Sequence, residues 1–315
     1  MESQVTEHPG SLVSDISEGP ILVATDGNPH ADTALIAAAF IAGRVGGKVQ
    51  VFSVVEHASA ACRECDNTAG PSHVHRESPQ QCRVHREFCE ERDTRRAMIQ
   101  AQVALTVGEA AKWPITVYDG PVGQTSCDIV TQSRAQLMVI GQRRQRSLDV
   151  QSETDRATEA LMQCTVPIYI AAPTFRGIAR RVVVAVDFTA ASIHAANIVR
   201  SLSARDARMY LIHVVPYASA EELDERRRQL LNVEQSLRDE SGVRVESIML
   251  LGDAARETLS FAEGIQADVI ACGLSGRRGI SSAADPSSPA GDGVTRDLIR
   301  NASCSMLIAP RLTRW

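Results

Sequence analysis

The chain has 315 residues, a length typical of two domains, and its net charge of −5 without a long basic run argues against nucleic acid as a partner. Residues 1–19 lack the basic start and apolar stretch of a signal peptide, and no segment holds the roughly 18 consecutive apolar residues needed to span a membrane. We therefore expect a disordered tail over residues 1–19, no membrane partner and a cytoplasmic location. In that compartment the eight cysteines would be thiols or metal ligands rather than disulfides.

The same elements recur in the same order in both halves of the chain, as expected of a repeated domain. A short apolar segment over residues 21–26 ends in Asp26, and residues 182–187 read the same way up to Asp187. The elements that follow match in pairs: Ala-rich helices at 31–44 and 190–202, strands at 49–55 and 209–215, helices at 91–111 and 221–240, strands at 137–141 and 268–273, and strands at 166–170 and 304–308.

Short apolar strands that alternate with helices predict an α/β fold of two doubly wound domains, each with a five-stranded parallel sheet and right-handed crossovers. Turn residues between Pro173 and Gly177 mark the boundary. We therefore predict a first domain over residues 20–173 and a second over residues 174–315.

A candidate phosphate site lies in the second half. Ligands of open α/β sheets bind at the carboxyl ends of the strands, where Asp187 and Gly273 would face each other. Gly273 opens a glycine-rich loop with Gly276 and the cationic Arg277, and a helix starts at Gly293. Glycines allow backbone N–H groups to approach phosphate oxygens, and a helix N-terminus attracts anions. The loop therefore predicts phosphate binding.

These features resemble the universal stress protein family over nearly all of residues 20–311, twice over. The resemblance rests on the strand that ends in Asp187, the His213-Val214-Val215 strand, and the Gly273-x-x-Gly276 loop followed by Gly293-Val294-Thr295. It implies a HUP-type fold whose two domains pair through their last strands as an internal pseudo-dimer, and further pairing into a homo-oligomer. It also implies that ATP is held by Asp187, Val215, Gly273, Gly276, Gly293, Val294 and Thr295.

The sequence departs from the family pattern in both halves. In the second, the glycine loop is stretched, and Asp292 stands where a glycine is expected, where it would repel a phosphate. In the first, Gly141 is followed by Gln142-Arg143-Arg144 without a second glycine. We therefore predict that the first site, with Asp26, Gly141 and Arg144, is degenerate, although its arginines would still attract an anion. The alternative is that Asp26 and Asp187 only cap the helices that follow them.

A Cys/His-rich insert over residues 56–90 interrupts the first domain. The offset between matched positions falls from 160 at Val55 and Val215 to 132 at Gly120 and Gly252, so the first half contains 28 extra residues. Closely spaced thiolate and imidazole groups are typical of a zinc site. The candidate metal ligands are Cys62, Cys65, Cys82, His85, Cys89, His73 and His75.

Two alternatives to zinc remain open. The insert is a redox-active loop whose thiols are activated by nearby arginines, or its cysteines are inert. The four cysteines outside the insert are expected to be buried structural thiols; they are Cys127, Cys164, Cys272 and Cys304.

The sequence shows no nucleophile–base pair and no paired carboxylates typical of hydrolysis, so we predict a binding protein with at most slow ATP hydrolysis. The first hypothesis is a stress-response protein that binds an adenine nucleotide in its second domain as a regulatory switch, carries a metal-binding insert and acts on an unknown protein partner. The alternative is a zinc or redox sensor, or a scaffold, with degenerate nucleotide sites. A third is a phosphotransfer or nucleotidyl enzyme of the same superfamily.

Overall fold

The computed structural model describes residues 19–56, 83–142, 164–216, 219–238, 242–274 and 293–311, with the backbone alone over residues 83–88. The described strands are β1 Ile21–Ala24, β2 Val49–Val55, β3 Ile115–Asp119, β4 Leu137–Gly141, β5 Ile168–Ala171, β6 Ala179–Ala185, β7 Ser203–Val215, β8 Arg244–Leu251, β9 Val269–Gly273 and β10 Ser305–Ala309. The described helices are α1 Asp32–Val45, α2 Arg83–Thr106, α3 Val122–Gln132, α4 Ala190–Leu202, α5 Ala220–Leu237, α6 Ala254–Gly264 and α7 Gly293–Asn301, with a 3-10 turn at Pro29–Ala31 before α1.

All ten strands join one continuous sheet in the order β3-β2-β1-β4-β5-β10-β9-β6-β7-β8. Within each half the pairs are parallel and follow the same order. The two halves meet where β5 and β10 pair antiparallel, with Leu307 opposite Tyr169. The predicted pair of doubly wound, five-stranded parallel sheets, joined through their last strands as an internal pseudo-dimer, is confirmed.

Helices cover both faces of the sheet, which explains why the strands are nearly uninterrupted apolar runs. Val182, Val183 and Val184 are each fully buried, although their side chains point alternately to opposite faces. One apolar core lies beneath α1, α2, α4 and α5, and the other lies beneath α3, α6 and α7. The contact between halves extends beyond the strands, because Arg44 on α1 donates to the carbonyl of Ser201 on α4 at 3.0 Å.

Helix α2 begins at Arg83, earlier than the start at residue 91 that the sequence indicates. The C-terminal part of the insert is therefore helical. Among the described helices, none combines the length and the hydropathy that would let it cross a membrane.

The expectation that every cysteine is a thiol or a metal ligand is wrong for one pair. Cys127 on α3 and Cys164, just before β5, form a disulfide, and their Cα atoms are 5.1 Å apart, within the range that such a bond requires. The expectation rested on compartment alone, whereas these two residues are brought together on one face of the sheet. Cys272 and Cys304 are buried thiols, as predicted.

Candidate functional site

The second half has a crevice at the carboxyl end of its strands. The chain leaves β6 for α4 on one face of the sheet, and it reaches β10 from β9 by way of α7 on the other face. Strands β6 and β9 are neighbours, so the connections diverge between them. This divergence is the switch point at which open α/β sheets bind ligands. Asp187 follows β6 there, and Gly273 ends β9.

Asp187 is half-buried and has one carboxylate oxygen engaged. Its Oδ1 accepts hydrogen bonds from the backbone N–H of Thr189 at 3.0 Å and from the Thr189 hydroxyl at 2.6 Å. Thr189, and not Asp187, is the N-cap of α4, because the Thr189 side chain accepts from the N–H of Ser192. The capping alternative is therefore wrong for Asp187. No described residue hydrogen bonds to Asp187 Oδ2, which leaves an acceptor at the crevice.

Gly273 and Gly141 stand where each half brings a helix start close to a strand end. A Cβ on Gly273 would lie 2.4 Å from the backbone nitrogen of Ser192, and one on Gly141 would lie 2.7 Å from the carbonyl oxygen of His30. Both distances are far below van der Waals contact, so only glycine fits at either position. The two predicted glycines therefore allow the helix start to pack directly against the strand end.

The other predicted residues of the second half fall into three groups. Val215 ends β7, and its carbonyl accepts from the N–H of Gly252 at 3.0 Å, which engages one of the two lone pairs of this oxygen. Gly293 and Val294 are exposed at the start of α7. Thr295 is buried, and burial raises the pKa of the Cys272 thiol to about 12, an effect that the Thr295 side chain partly opposes. Gly276 and Arg277 lie outside the described residues.

Beside Asp187 the structure places an aromatic stack that the sequence analysis missed. Phe188 has a φ of +62°, and its ring packs on the imidazole of His213 with 4.4 Å between the centroids. The guanidinium carbon of Arg226, on α5, lies 5.8 Å from the Phe188 centroid. Phe188 occupies the position that Gly27 holds in the first half (188 − 27 = 187 − 26). This difference between the two repeats is visible in the sequence and could have drawn attention to Phe188.

His213 is anchored by one ring nitrogen only. Its Nδ1 lies 2.7 Å from the carbonyl of Val186, whereas Nε2 is buried and has no hydrogen-bond partner among the described residues. Burial lowers the pKa of His213 below its ordinary value, the bond to Val186 opposes this shift, and the charge of Arg226 adds to it. The folded crevice therefore favours the neutral imidazole.

In the first half, the loop after β1 is tied down by helix α2. Gln102 donates from Nε2 to the carbonyl of Asn28 and to Oδ1 of Asp32, both at 2.7 Å, and its Oε1 accepts from the Thr25 hydroxyl at 2.9 Å. Arg95 donates to the carbonyl of Asp26 at 2.8 Å. These bonds link the loop to α2, whose first turns belong to the Cys/His insert.

Asp26 differs from Asp187 in how its carboxylate is used. Both of its oxygens accept from Asn28: Oδ1 from the backbone N–H at 3.0 Å and Oδ2 from the side-chain amide at 2.9 Å. Asp26 does not cap the helix that follows, because the residue before α1 is Ala31. Arg144, the third residue of the predicted first site, lies outside the described residues.

The predicted metal ligands are only partly described. His85 and Cys89 both lie on α2, four residues apart, and Cys89 is half-buried. Within the described ranges, no cluster of three or more metal-binding side chains occurs. The remaining candidates lie outside those ranges: Cys62, Cys65, His73, His75 and Cys82.

Comparison with known proteins gives consistent results. The Universal stress protein family matches residues 19–156 and 179–310. A universal stress protein of Methanocaldococcus jannaschii is 28% identical over 131 residues, which span 38% of this chain and 74% of that protein.

Among solved structures, a universal stress protein from Archaeoglobus fulgidus is similar in fold, with a TM-score of 0.61 and 17% identity over 93% of this chain and 97% of that one. A functionally unknown protein from Pseudomonas aeruginosa has a TM-score of 0.57 and 15% identity over 95% of this chain and 94% of that one. The family match covers both halves of the chain, in the two regions that the repeat defines. This two-domain chain belongs to the universal stress protein family.

Proposed function

We propose that this protein binds an adenine nucleotide, foremost ATP, in the crevice of its second domain, and that the bound nucleotide acts as a regulatory switch. The observation that carries the proposal is the contrast between two repeat-related carboxylates. Asp187 keeps Oδ2 available as an acceptor, whereas Asn28 engages both oxygens of Asp26.

The chemistry of the crevice suits a nucleoside phosphate. A carboxylate oxygen accepts from ribose hydroxyls or from an exocyclic amine, and such charge-assisted hydrogen bonds are stronger than neutral ones. The first N–H groups of α7, at Gly293 and Val294, are at the surface, where a helix N-terminus favours phosphate. In this proposal Gly276 and Arg277 complete the phosphate contacts, and Val215 contributes an apolar wall.

The test is titration calorimetry of the intact protein with ATP, in parallel with two matched variants. Asp187→Asn removes the charge and is expected to weaken binding by about 10- to 100-fold, the value of one hydrogen bond to a charged group. Asp26→Asn makes the same change in the first domain and is expected to leave the affinity for ATP within about twofold. Equal losses in the two variants, or no binding to the unaltered protein, would contradict the proposal.

The second candidate function is a zinc or redox sensor, and the observation that favours it is the placement of His85 and Cys89. Residues four apart on a helix share one face, which is a common arrangement for two ligands of one zinc ion. Zinc content per chain, measured by plasma mass spectrometry, would be close to one in the unaltered protein. It would fall in a Cys62→Ser/Cys65→Ser variant, while ATP affinity would stay the same.

A homo-oligomer and a protein partner stay predictions, which analytical ultracentrifugation and cross-linking would test.

A further inference from the structure

An open cavity of about 430 Å³ lies at the amino end of the first-domain strands, away from that domain's own crevice. Small residues of α1, among them Ala39 and Ala42, form one side. The connection from α2 to β3 forms the other side and contributes Trp113, which is half-buried. The volume is within the range of small-molecule sites, and the mixture of apolar and aromatic walls is typical of them.

The cavity has both lysines of the chain at its rim. The sequence contains 33 lysines and arginines, of which only Lys48 and Lys112 are lysines, and both line this cavity. Their side chains are exposed, and neither forms an ion pair with a described residue. Two ammonium groups therefore stand above an apolar floor without an ion-pair partner among the described carboxylates, an arrangement complementary to an anion.

The backbone holds both lysine-bearing turns in place. Gly46 ends α1 with a φ of +74°, and its N–H donates to the carbonyl of Ala42 at 2.9 Å, just before Lys48. On the opposite side, the N–H of Ala111 donates to the carbonyl of Gly108, and that of Lys112 donates to Ala110, both at 3.0 Å. The rim is thus set by backbone hydrogen bonds as well as by side-chain packing.

The second half supplies an internal comparison, because a long side chain stands at one of the equivalent positions. Arg200 on α4 occupies the position of Ala39 (200 − 39 = 187 − 26). Its guanidinium donates to the carbonyl of Leu237, the last residue of α5, at 2.9 Å. The side chain of Arg200 therefore reaches from one helix to the end of the next, which Ala39 is too short to do. This difference distinguishes the first domain from the second at the cavity.

We propose that this cavity binds a small anion with an apolar body, such as a medium-chain carboxylate. The apolar part lies against Ala39, Ala42 and Trp113, and the anionic group lies between Lys48 and Lys112. The site is separate from the nucleotide crevice and does not depend on nucleotide binding.

Octanoate is the probe, and the emission of Trp113 is the direct signal. The chain has two tryptophans, so a Trp315→Phe background leaves Trp113 as the sole reporter. We expect a saturable change with a Kd on the order of 0.1–1 mM for a ligand of this size. Octan-1-ol, which has the same tail without the charge, is expected to bind at least about threefold more weakly, since exposed charge pairs contribute modestly.

Variants distinguish octanoate binding in the cavity from nonspecific binding to apolar surface. Ala39→Arg introduces the residue of the second half, a good helix former, and is expected to abolish the Trp113 response. Ile36→Arg is the matched control, because Ile36 lies on the same helix, is exposed and does not line the cavity. Lys48→Gln and Lys112→Gln are each expected to weaken binding about two- to fivefold, and the corresponding arginine variants to retain it.

A second measurement needs no substitution. Amine acetylation of the unaltered protein can modify only Lys48, Lys112 and the terminal amine. Bound octanoate should lower the acetylation rate of both lysines several-fold relative to that of the terminal amine. The proposal is overturned by an unchanged acetylation ratio, by an equal Kd for octanoate in the Ala39→Arg protein, or by octan-1-ol binding as tightly as octanoate.

Discussion

Phe188 allows the sharpest stability prediction. Its φ of +62° is a left-handed conformation, which costs a residue with a side chain about 1–2 kcal/mol. Gly27 holds the equivalent place in the first half with a φ of +83° and incurs no such cost, because it lacks a Cβ. Packing must therefore compensate for the backbone at Phe188.

Three contacts supply the compensation. The partial burial of the Phe188 ring contributes roughly 1–1.5 kcal/mol. The contact with the His213 ring adds about 0.5–1.5 kcal/mol, and the Arg226 guanidinium adds about 0.5–1 kcal/mol. Together these contributions exceed the backbone cost, which explains how a bulky residue is held in this conformation.

At Phe188, the glycine variant should be more stable than the alanine variant, which reverses the usual order. Phe188→Ala removes the stack but keeps a Cβ at positive φ, so it should destabilise the second domain by about 2–4 kcal/mol. Phe188→Gly removes the stack and relieves the backbone, so it should be less destabilising than alanine by about 1 kcal/mol. At most helix or strand positions glycine is the more damaging of the two.

Urea unfolding followed by circular dichroism would give the order of the midpoints, and hydrogen exchange of the β6 and β7 amides would locate the loss in the second domain. Gly27→Ala is the matched control: a Cβ there would lie 3.5 Å from that of Met98, so backbone strain alone should cost about 1 kcal/mol. A Phe188→Ala protein more stable than Phe188→Gly would refute the reasoning.

Three further predictions concern stability. Because the pKa of His213 is lowered in the folded state, its contribution to stability is complete above the unfolded-state pKa of 6.5 and is lost as the pH falls below that value, by at most about 1.4 kcal/mol per pH unit. His213→Ser, which introduces the residue found at the equivalent position Ser53, should make the urea midpoint less dependent on pH below 6.5. Reduction of the Cys127–Cys164 disulfide, which spans 37 residues, should lower the free energy of unfolding by about 3–4 kcal/mol, and a double alanine variant should be insensitive to reductant. Arg200→Ala should cost about 1 kcal/mol in urea unfolding through loss of its bond to the Leu237 carbonyl, whereas Arg228→Ala, on the exposed face of α5, should change little.

The repeated fold could be predicted because its strands and helices follow from local sequence patterns. Runs such as Val182–Val184 are apolar on both faces, which is typical of parallel strands under two helix layers. The pairing of β5 with β10 came from the family resemblance and was confirmed. The start of α2 at Arg83 was missed, since polar and charged residues of its first turns carry no apolar periodicity.

The sites were harder to predict because they depend on contacts distant in sequence. Gln102 reaches Asn28 and Asp32 across 74 and 70 residues, and nothing in the local sequence of α2 indicates these bonds. The Cys127–Cys164 disulfide likewise depends on the packing of α3 beside β5. Comparison of the two halves, position by position, would have found more, because the exchange of Gly27 for Phe188 is visible in the sequence alone.

The antiparallel seam puts two different candidate sites on one edge of the sheet. Because β5 and β10 run in opposite directions, the carboxyl ends of the second-half strands lie at the same edge as the amino ends of the first-half strands. The crevice at Asp187 and the cavity at Lys48 therefore open along one edge, and the six strand spacings from β2 to β6 amount to about 29 Å. In the first half α2 ties down the loop after β1, and in the second half Arg200 reaches from α4 to the end of α5 at the position that Ala39 holds in the first half. If both proposals hold, each half keeps a different one of the two candidate sites, and the tandem chain has two distinct sites rather than two copies of one.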